Sequence, residues 1–122
     1  MIGFGSQLDD FKNEANKIGL TNITFLPLQE QNMVSHVYSS CSVCIIPLPY
    51  GVIGNSVPSK IGLLMACKRP VISTSDDDSQ YLKMINENKF GFGFGTKSFQ
   101  KVAEAILYLK NNLDITKKMG DR

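Results

Sequence analysis

The stretch Val43-Cys44-Ile45-Ile46-Pro47-Leu48-Pro49-Tyr50-Gly51-Val52-Ile53-Gly54-Asn55-Ser56-Val57-Pro58-Ser59-Lys60 decides the fold class. Val43 to Ile46 is a continuous apolar run, the pattern of a strand covered on both faces. Pro47 has no N–H and ends it. Leu48 to Val57 reads as a glycine- and proline-bearing loop. Ser59 to Cys67 then reads as a compact apolar helix. Strand, loop and helix in that order repeat in both directions along the chain.

Toward the C-terminus, Val71 to Thr74 is the next predicted strand. Asp76-Asp77-Asp78-Ser79 is a cap for a helix running to about Asn86, because acids and serine suit a helix N-terminus. Phe90 to Phe94 reads as a glycine-rich edge strand. Phe99, Val102, Ala103, Ile106 and Leu107 mark a long amphipathic helix, and Leu113 to Met119 a short final one. Toward the N-terminus, Gln29 to Ser40 is a helix with Met33, Val37 and Tyr38 expected to face inward. Ile23 to Leu26 is a short strand. Leu8, Phe11, Ala15 and Ile18 recur at helical spacing, and Gly19 suits a C-cap. Met1-Ile2 reads as the end of a strand, followed by the glycine turn Gly3-Phe4-Gly5-Ser6.

Strands separated by helices imply parallel pairing through right-handed crossovers. The predicted fold is therefore α/β, a doubly wound, Rossmann-like parallel sheet of about five strands in the order 2-1-3-4-5. Its ligand crevice would lie between the carboxyl ends of the first and third strands. There the Gly3 to Ser6 turn and the Pro47 to Pro58 loop would meet.

Composition narrows the function classes. The chain has 122 residues, 43% apolar and 20% charged, ordinary for one globular domain. A net charge of +2 is too small to argue for nucleic acid or a polybasic membrane patch. No apolar run approaches the roughly 20 residues that span a bilayer. The start lacks the basic region of a signal peptide. Three cysteines fit a reducing cytosol better than a disulfide framework.

The chemistry concentrates at Asn55-Ser56-Val57-Pro58-Ser59-Lys60, which opens a helix at the predicted crevice. Ser56 can cap that helix and Pro58 suits its first turn. The free N–H groups and the dipole there favour an anion such as phosphate. Lys60 opposes the dipole, a conflict that a bound anion would remove; an ordinary solvated lysine is the plainer alternative. Gly3-Phe4-Gly5 permits close approach of a phosphate or sugar, or is simply a tight turn; it lacks the third glycine of the dinucleotide fingerprint. Cys41 and Cys44 have redox or metal spacing, but three apart in a strand they point to opposite faces and read as core, as does Cys67. His36 has no evident partner. Asp76 to Asp78 fit a helix start better than a metal site. No Ser-His-Asp or Cys-His set can be assembled, and no metal site is expected.

Five segments in order resemble the carboxy-terminal domain of GT-B, "group 1" glycosyltransferases. Ile2-Gly3-Phe4-Gly5 resembles that family's strand and glycine turn, and Asn22-Ile23-Thr24-Phe25-Leu26 its "NVTFLG" strand. Tyr38 to Pro47 is similar to "YAAADVFVLP", and Met65 to Ile72 to "MACGKPVI". Val57-Pro58-Ser59-Lys60 resembles the "VPSK" signature of a subgroup that builds bacterial surface polysaccharides. Three positions depart. Asn55 and Leu63 stand where the family often has glutamates, the second of which holds the donor ribose; Lys68 replaces a glycine.

The resemblance implies transfer of a sugar from a nucleoside diphosphate donor to a polysaccharide or lipid-linked acceptor, without metal and in the cytoplasm, peripheral at the inner face of the membrane through another domain. Ser56, Ser59 and the backbone of Val57 would hold the diphosphate, Lys60 would act as the catalytic cation, Gly3 and Gly5 would admit the donor, and the loop containing Pro27 would meet the base. The family's first strand and its amino-terminal acceptor domain have no counterpart here. The chain alone is thus expected to be inactive, and its open sheet edge to invite a homodimer. The rival class is a flavodoxin-like nucleotide binder or a protein-interaction module; saturable binding of nucleoside diphosphates separates the two.

Overall fold

Val71-Ile72-Ser73-Thr74-Ser75 forms the best-buried strand of the protein, with Val71 and Ile72 fully enclosed. The computed structural model around it describes residues 1–2, 5–53 and 56–122. Gly3 and Phe4 of the expected glycine turn, and Asn55, lie outside the described residues. The described residues fall into two compact units, Met1–Val34 and Ser35–Arg122.

In the first unit the predicted helix is present as α1, Leu8–Ile18, with Ala15 its buried residue. Gly19 ends it at φ 78°, the left-handed cap its sequence signalled. Ile2 and Leu26 form an isolated parallel bridge, supported by Leu26 N–H donating to the Met1 carbonyl at 2.8 Å. The strand expected over Ile23 to Leu26 contributes only that last residue. Pro27 has no N–H to extend a ladder, and Ile23 is 40% exposed, with no covered face to hold it extended. Gln31–Met33 is a 3-10 turn, and Met33 is exposed rather than inward.

The second unit contains α2 (Val34–Ser40, its first residue shared with the unit boundary), β1 (Cys44–Pro47), α3 (Lys60–Ala66), β2 (Val71–Ser75), α4 (Gln80–Asn88), β3 (Gly91–Gly95), α5 (Phe99–Asn111) and α6 (Leu113–Gly120). The strands form a parallel sheet in the order β1-β2-β3, with Cys44 opposite Val71 and Ser73 opposite Gly93. Of the expected sheet of about five strands, these three and the Ile2–Leu26 bridge are formed. The structure is mixed α/β with helices following each strand, consistent with a Rossmann-like fold.

Alternation along β2 builds two cores, because successive side chains leave a strand on opposite faces. Val71 faces Ile46, Ile61, Leu64, Tyr81, Leu82, Ile85 and Phe90, so α3 and α4 cover that side. Ile72 faces Ala105 and Leu109, with Phe92, Phe94, Val102 and Met119 packed alongside, so α5 and α6 cover the other. Each fully buried aliphatic side chain contributes roughly 1.5–3 kcal/mol. Ser73 is buried but satisfied: its hydroxyl donates to the Ile46 carbonyl at 2.6 Å and accepts from the Tyr81 hydroxyl at 2.8 Å. The strand expected to be covered on both faces is covered on one. Ile46 is buried, whereas Ile45, facing the other way, is 49% exposed.

Two local details depend on special residues. Gly91 comes so close to β2 that a β-carbon there would run into the Val71 carbonyl oxygen. At the end of α3, Arg69 N–H donates to Leu64 O and Lys68 N–H to Met65 O, the paired bonds of a Schellman motif. That motif needs a left-handed residue, and Lys68 supplies it at φ 55°.

Candidate functional site

Parallel register puts the carboxyl ends of β1 and β2 side by side, Pro47 opposite Thr74. The segment leaving β1 is fastened there at three points. Leu48 N–H donates to the Thr74 carbonyl at 3.1 Å and approaches its hydroxyl at 3.3 Å. Gly51 N–H donates to Asp76 Oδ1 at 2.9 Å. Gly51 has φ 77°, a turn conformation in which a side chain would be strained. Ile53 is buried in the α3/α4 core. Between the fastenings Tyr50, 81% exposed, points to solvent.

Two of the residues expected at this end are placed differently from the sequence reading. Ser59, not Ser56, is the N-cap of α3, and its side chain makes no cap bond. Ser56 turns back: its N–H and its hydroxyl both donate to the Ile53 carbonyl, at 3.0 and 2.7 Å. The helix begins three residues later than a Ser56 cap requires. Pro58 accordingly precedes the N-cap instead of occupying the first turn, and its carbonyl accepts from Ile61 N–H at 3.2 Å. Ser56, Val57, Ser59 and Lys60 are all exposed. The first turn of α3 holds no acid.

Gly5 and Pro27 belong to the first unit. The Ile2–Leu26 bridge is parallel, so both residues lie beyond its carboxyl end. Gly5 lines a cavity of about 290 Å³ with Ser6, Gln7, Leu8 and Phe11 against Met1 and Ile2. The first turn of α1 already carries Asp9 and Asp10, which occupy the positions an anion would favour. The Pro27 carbonyl accepts from Gln29 Nε2 at 2.8 Å.

Ser79 accepts from Leu82 N–H at 3.2 Å and caps α4, as the acid-and-serine run implied. Asp76, which the sequence pattern places at that helix start, instead accepts from Gly51 N–H. Among the described residues no group of three His, Cys, Asp or Glu side chains is placed to hold a metal ion.

The cysteines are free and half-buried, as packing residues are. Burial pushes the thiols of Cys41 and Cys44 up; Arg69 offsets part of this at Cys41, and Lys60 part of it at Cys44. His36 is exposed. No helix among the described residues is long and apolar enough to cross a membrane.

A family model described as glycosyl transferases group 1 matches residues 1–112. "Probable glycosyltransferase WbjE" of Pseudomonas aeruginosa is 28% identical over 94 residues, 75% of this chain. Those residues amount to 23% of that relative, so the chain spans under a quarter of its length.

Proposed function

Because the chain belongs to the group 1 glycosyl transferases, we propose that it forms the donor-binding wall of an enzyme moving a sugar from a nucleoside diphosphate to a polysaccharide or lipid-linked acceptor. The observation that carries this is the contrast between two helix starts. That of α1 holds Asp9 and Asp10, whereas that of α3 holds no acid and carries Lys60. An anion is repelled from the first and drawn to the second.

In this reading charge builds on the departing diphosphate as the glycosidic bond breaks. The backbone of Val57, Ser59 and the Lys60 ammonium stabilise it without a metal, since preorganised donors do this best in a site that water leaves. Ser56 joins them by releasing its hydroxyl from Ile53. Gly3 and Gly5 let the donor approach, and the Pro27 loop meets its base. The "VPSK" likeness favours a bacterial cell-envelope polysaccharide and a cytoplasmic site of action. The acceptor domain of the same enzyme supplies the opposite wall.

A thermal-shift panel tests this, with UDP, GDP, ADP, CDP and dTDP and the corresponding nucleotide sugars added to the chain. Stabilisation by one nucleoside diphosphate series is expected. Stabilisation by a flavin, or by none of the panel, overturns the reading in favour of an interaction module.

A further inference from the structure

We propose that Asp76 is a positioning residue: through Gly51 N–H its carboxylate holds the segment leaving β1, and with it the α3 start, in the donor-binding arrangement. This rests on the donor reading above and deepens it, because Asp76 touches no part of the donor.

The geometry is specific. Asp76 directly follows β2 and is half-buried, and its Oδ1 accepts from Gly51 N–H at 2.9 Å, 25 residues away in sequence. Gly51 sits in the left-handed conformation, so its N–H is aimed by a turn that the carboxylate stabilises. Thr74, two residues earlier, fastens Leu48 from the same strand end. One end of β2 therefore holds two points of a segment that has no ladder of its own. Beyond Gly51, Ile53 is buried, and its carbonyl takes the Ser56 N–H, a bond that remains when the Ser56 hydroxyl turns to the donor. Fixing Gly51 limits where Ile53 can lie, and Ile53 sets where Ser56 to Lys60 begins. Without Asp76 the segment still has Leu48 and Ile53, so it loses preorganisation rather than its fold. Apparent affinity falls in proportion to the fraction of molecules with the competent arrangement.

Asp77 and Asp78 lack this role. Asp77 lies against Gly95, where a β-carbon would meet its carboxylate, and Asp78 is exposed.

The test uses the full chain with Asp76→Ala, Asp76→Asn and, as a charge control, Asp78→Ala. Exchange of the Gly51 amide hydrogen is followed by NMR, and binding of UDP, GDP, ADP, CDP and dTDP by calorimetry. Asp76→Ala should speed Gly51 exchange and weaken binding about tenfold, the scale of one lost hydrogen bond to a charged group, with the melting temperature little changed. Asp76→Asn keeps an acceptor oxygen and should restore affinity to within about twofold. Asp78→Ala should bind as tightly as the unaltered chain.

If the unaltered chain binds a diphosphate and Asp76→Ala binds it equally well, the positioning role is overturned and the donor reading stands. If Asp76→Asn weakens binding as much as Asp76→Ala does, charge rather than the hydrogen bond matters, and the role is again overturned. If the unaltered chain binds no nucleotide, the donor reading fails and this inference fails with it.

Discussion

The side-chain amide of Asn86 pairs in both directions with the backbone of Gly93: Nδ2 donates to the Gly93 carbonyl at 3.1 Å, and Gly93 N–H donates to Oδ1 at 2.9 Å. Val71 N–H donates to Phe90 O, so alternation turns the polar groups of Gly93 away from β2, toward the outer edge of the sheet. Asn86, on the helix before β3, occupies that edge as the next strand would.

An unpaired edge is a template for another chain, and here the amide covers its middle. Asn86→Ala should cost about 1 kcal/mol, because water can replace the lost bonds at an exposed site. It should also raise self-association. Sedimentation velocity across a concentration series checks this, and a variant as monodisperse as the parent would show that the amide guards nothing.

Lys68 holds a left-handed conformation at φ 55°, at a helix end where glycine is the usual residue. A non-glycine residue there costs roughly 1–2 kcal/mol. Its ammonium lies 3.4 Å from Asp121, but both groups are exposed, and such pairs contribute little. Lys68→Gly should therefore stabilise the chain by about 0.5–1 kcal/mol, read as a higher urea midpoint. A lower midpoint would mean that the surface pair outweighs the backbone strain.

Helices were legible where a cap marks an end. Gly19 marks one end of α1 and Ser79 the start of α4, and both act as caps. Strands were legible where burial enforces them, as at Val71 and Ile72. Ile23 and Ile45 read as equally apolar, yet both are exposed, because a strand sequence does not say whether a covering layer exists. At the candidate site, Ser59 and Lys60 could be found from a helix start. Ser56 was misjudged because the turn to Ile53 competes with the cap. The bond from Gly51 to Asp76 joins residues whose meeting depends on strand register, which neither local pattern contains.

Burial raises the phenol of Tyr81 above its ordinary value, with the neighbouring Cys44 adding to this, and raises the thiols of Cys41 and Cys44 as well. The sign follows from linkage. Below the unfolded-state values, about 8.5 for a thiol and 10 for a phenol, both states keep these protons and stability is complete. Above them the unfolded chain ionises first, so stability is lost as pH rises through the folded values. The urea midpoint should hold near pH 7 and fall progressively above about pH 9. Tyr81→Phe should lose about 1 kcal/mol at neutral pH, from the missing bond to Ser73, and show a shallower decline above about pH 10. An equally steep decline would exclude this phenol as a contributor.

At the α3 start, Lys60→Ala should weaken binding of a nucleoside diphosphate by about 1–2 kcal/mol, the scale of one charge-assisted hydrogen bond. Added chelator should leave binding unchanged if donors and a cation suffice without metal. Calorimetry separates the cases. Unchanged affinity in Lys60→Ala would remove the lysine from the site, and loss of binding with chelator would return attention to Asp76, Asp77 and Asp78.

Sugar transfer should need more than this chain. The relative it matches extends well beyond the aligned residues, which make up 23% of its length. None of the residues proposed to hold the donor is a general base for an acceptor. Holding two reactants together can supply roughly 7–11 kcal/mol of a barrier, and a donor bound without a positioned acceptor forfeits most of that. The purified chain, given a nucleotide sugar that it binds and a polysaccharide or lipid-linked acceptor, should release nucleotide no faster than buffer does. Joined to the acceptor domain of the same enzyme, it should turn over, and Lys60→Ala should slow that reaction. Full-rate transfer by the chain alone would mean that an acceptor site lies within these 122 residues, and the cavity beside Gly5 would be the first place to look for it.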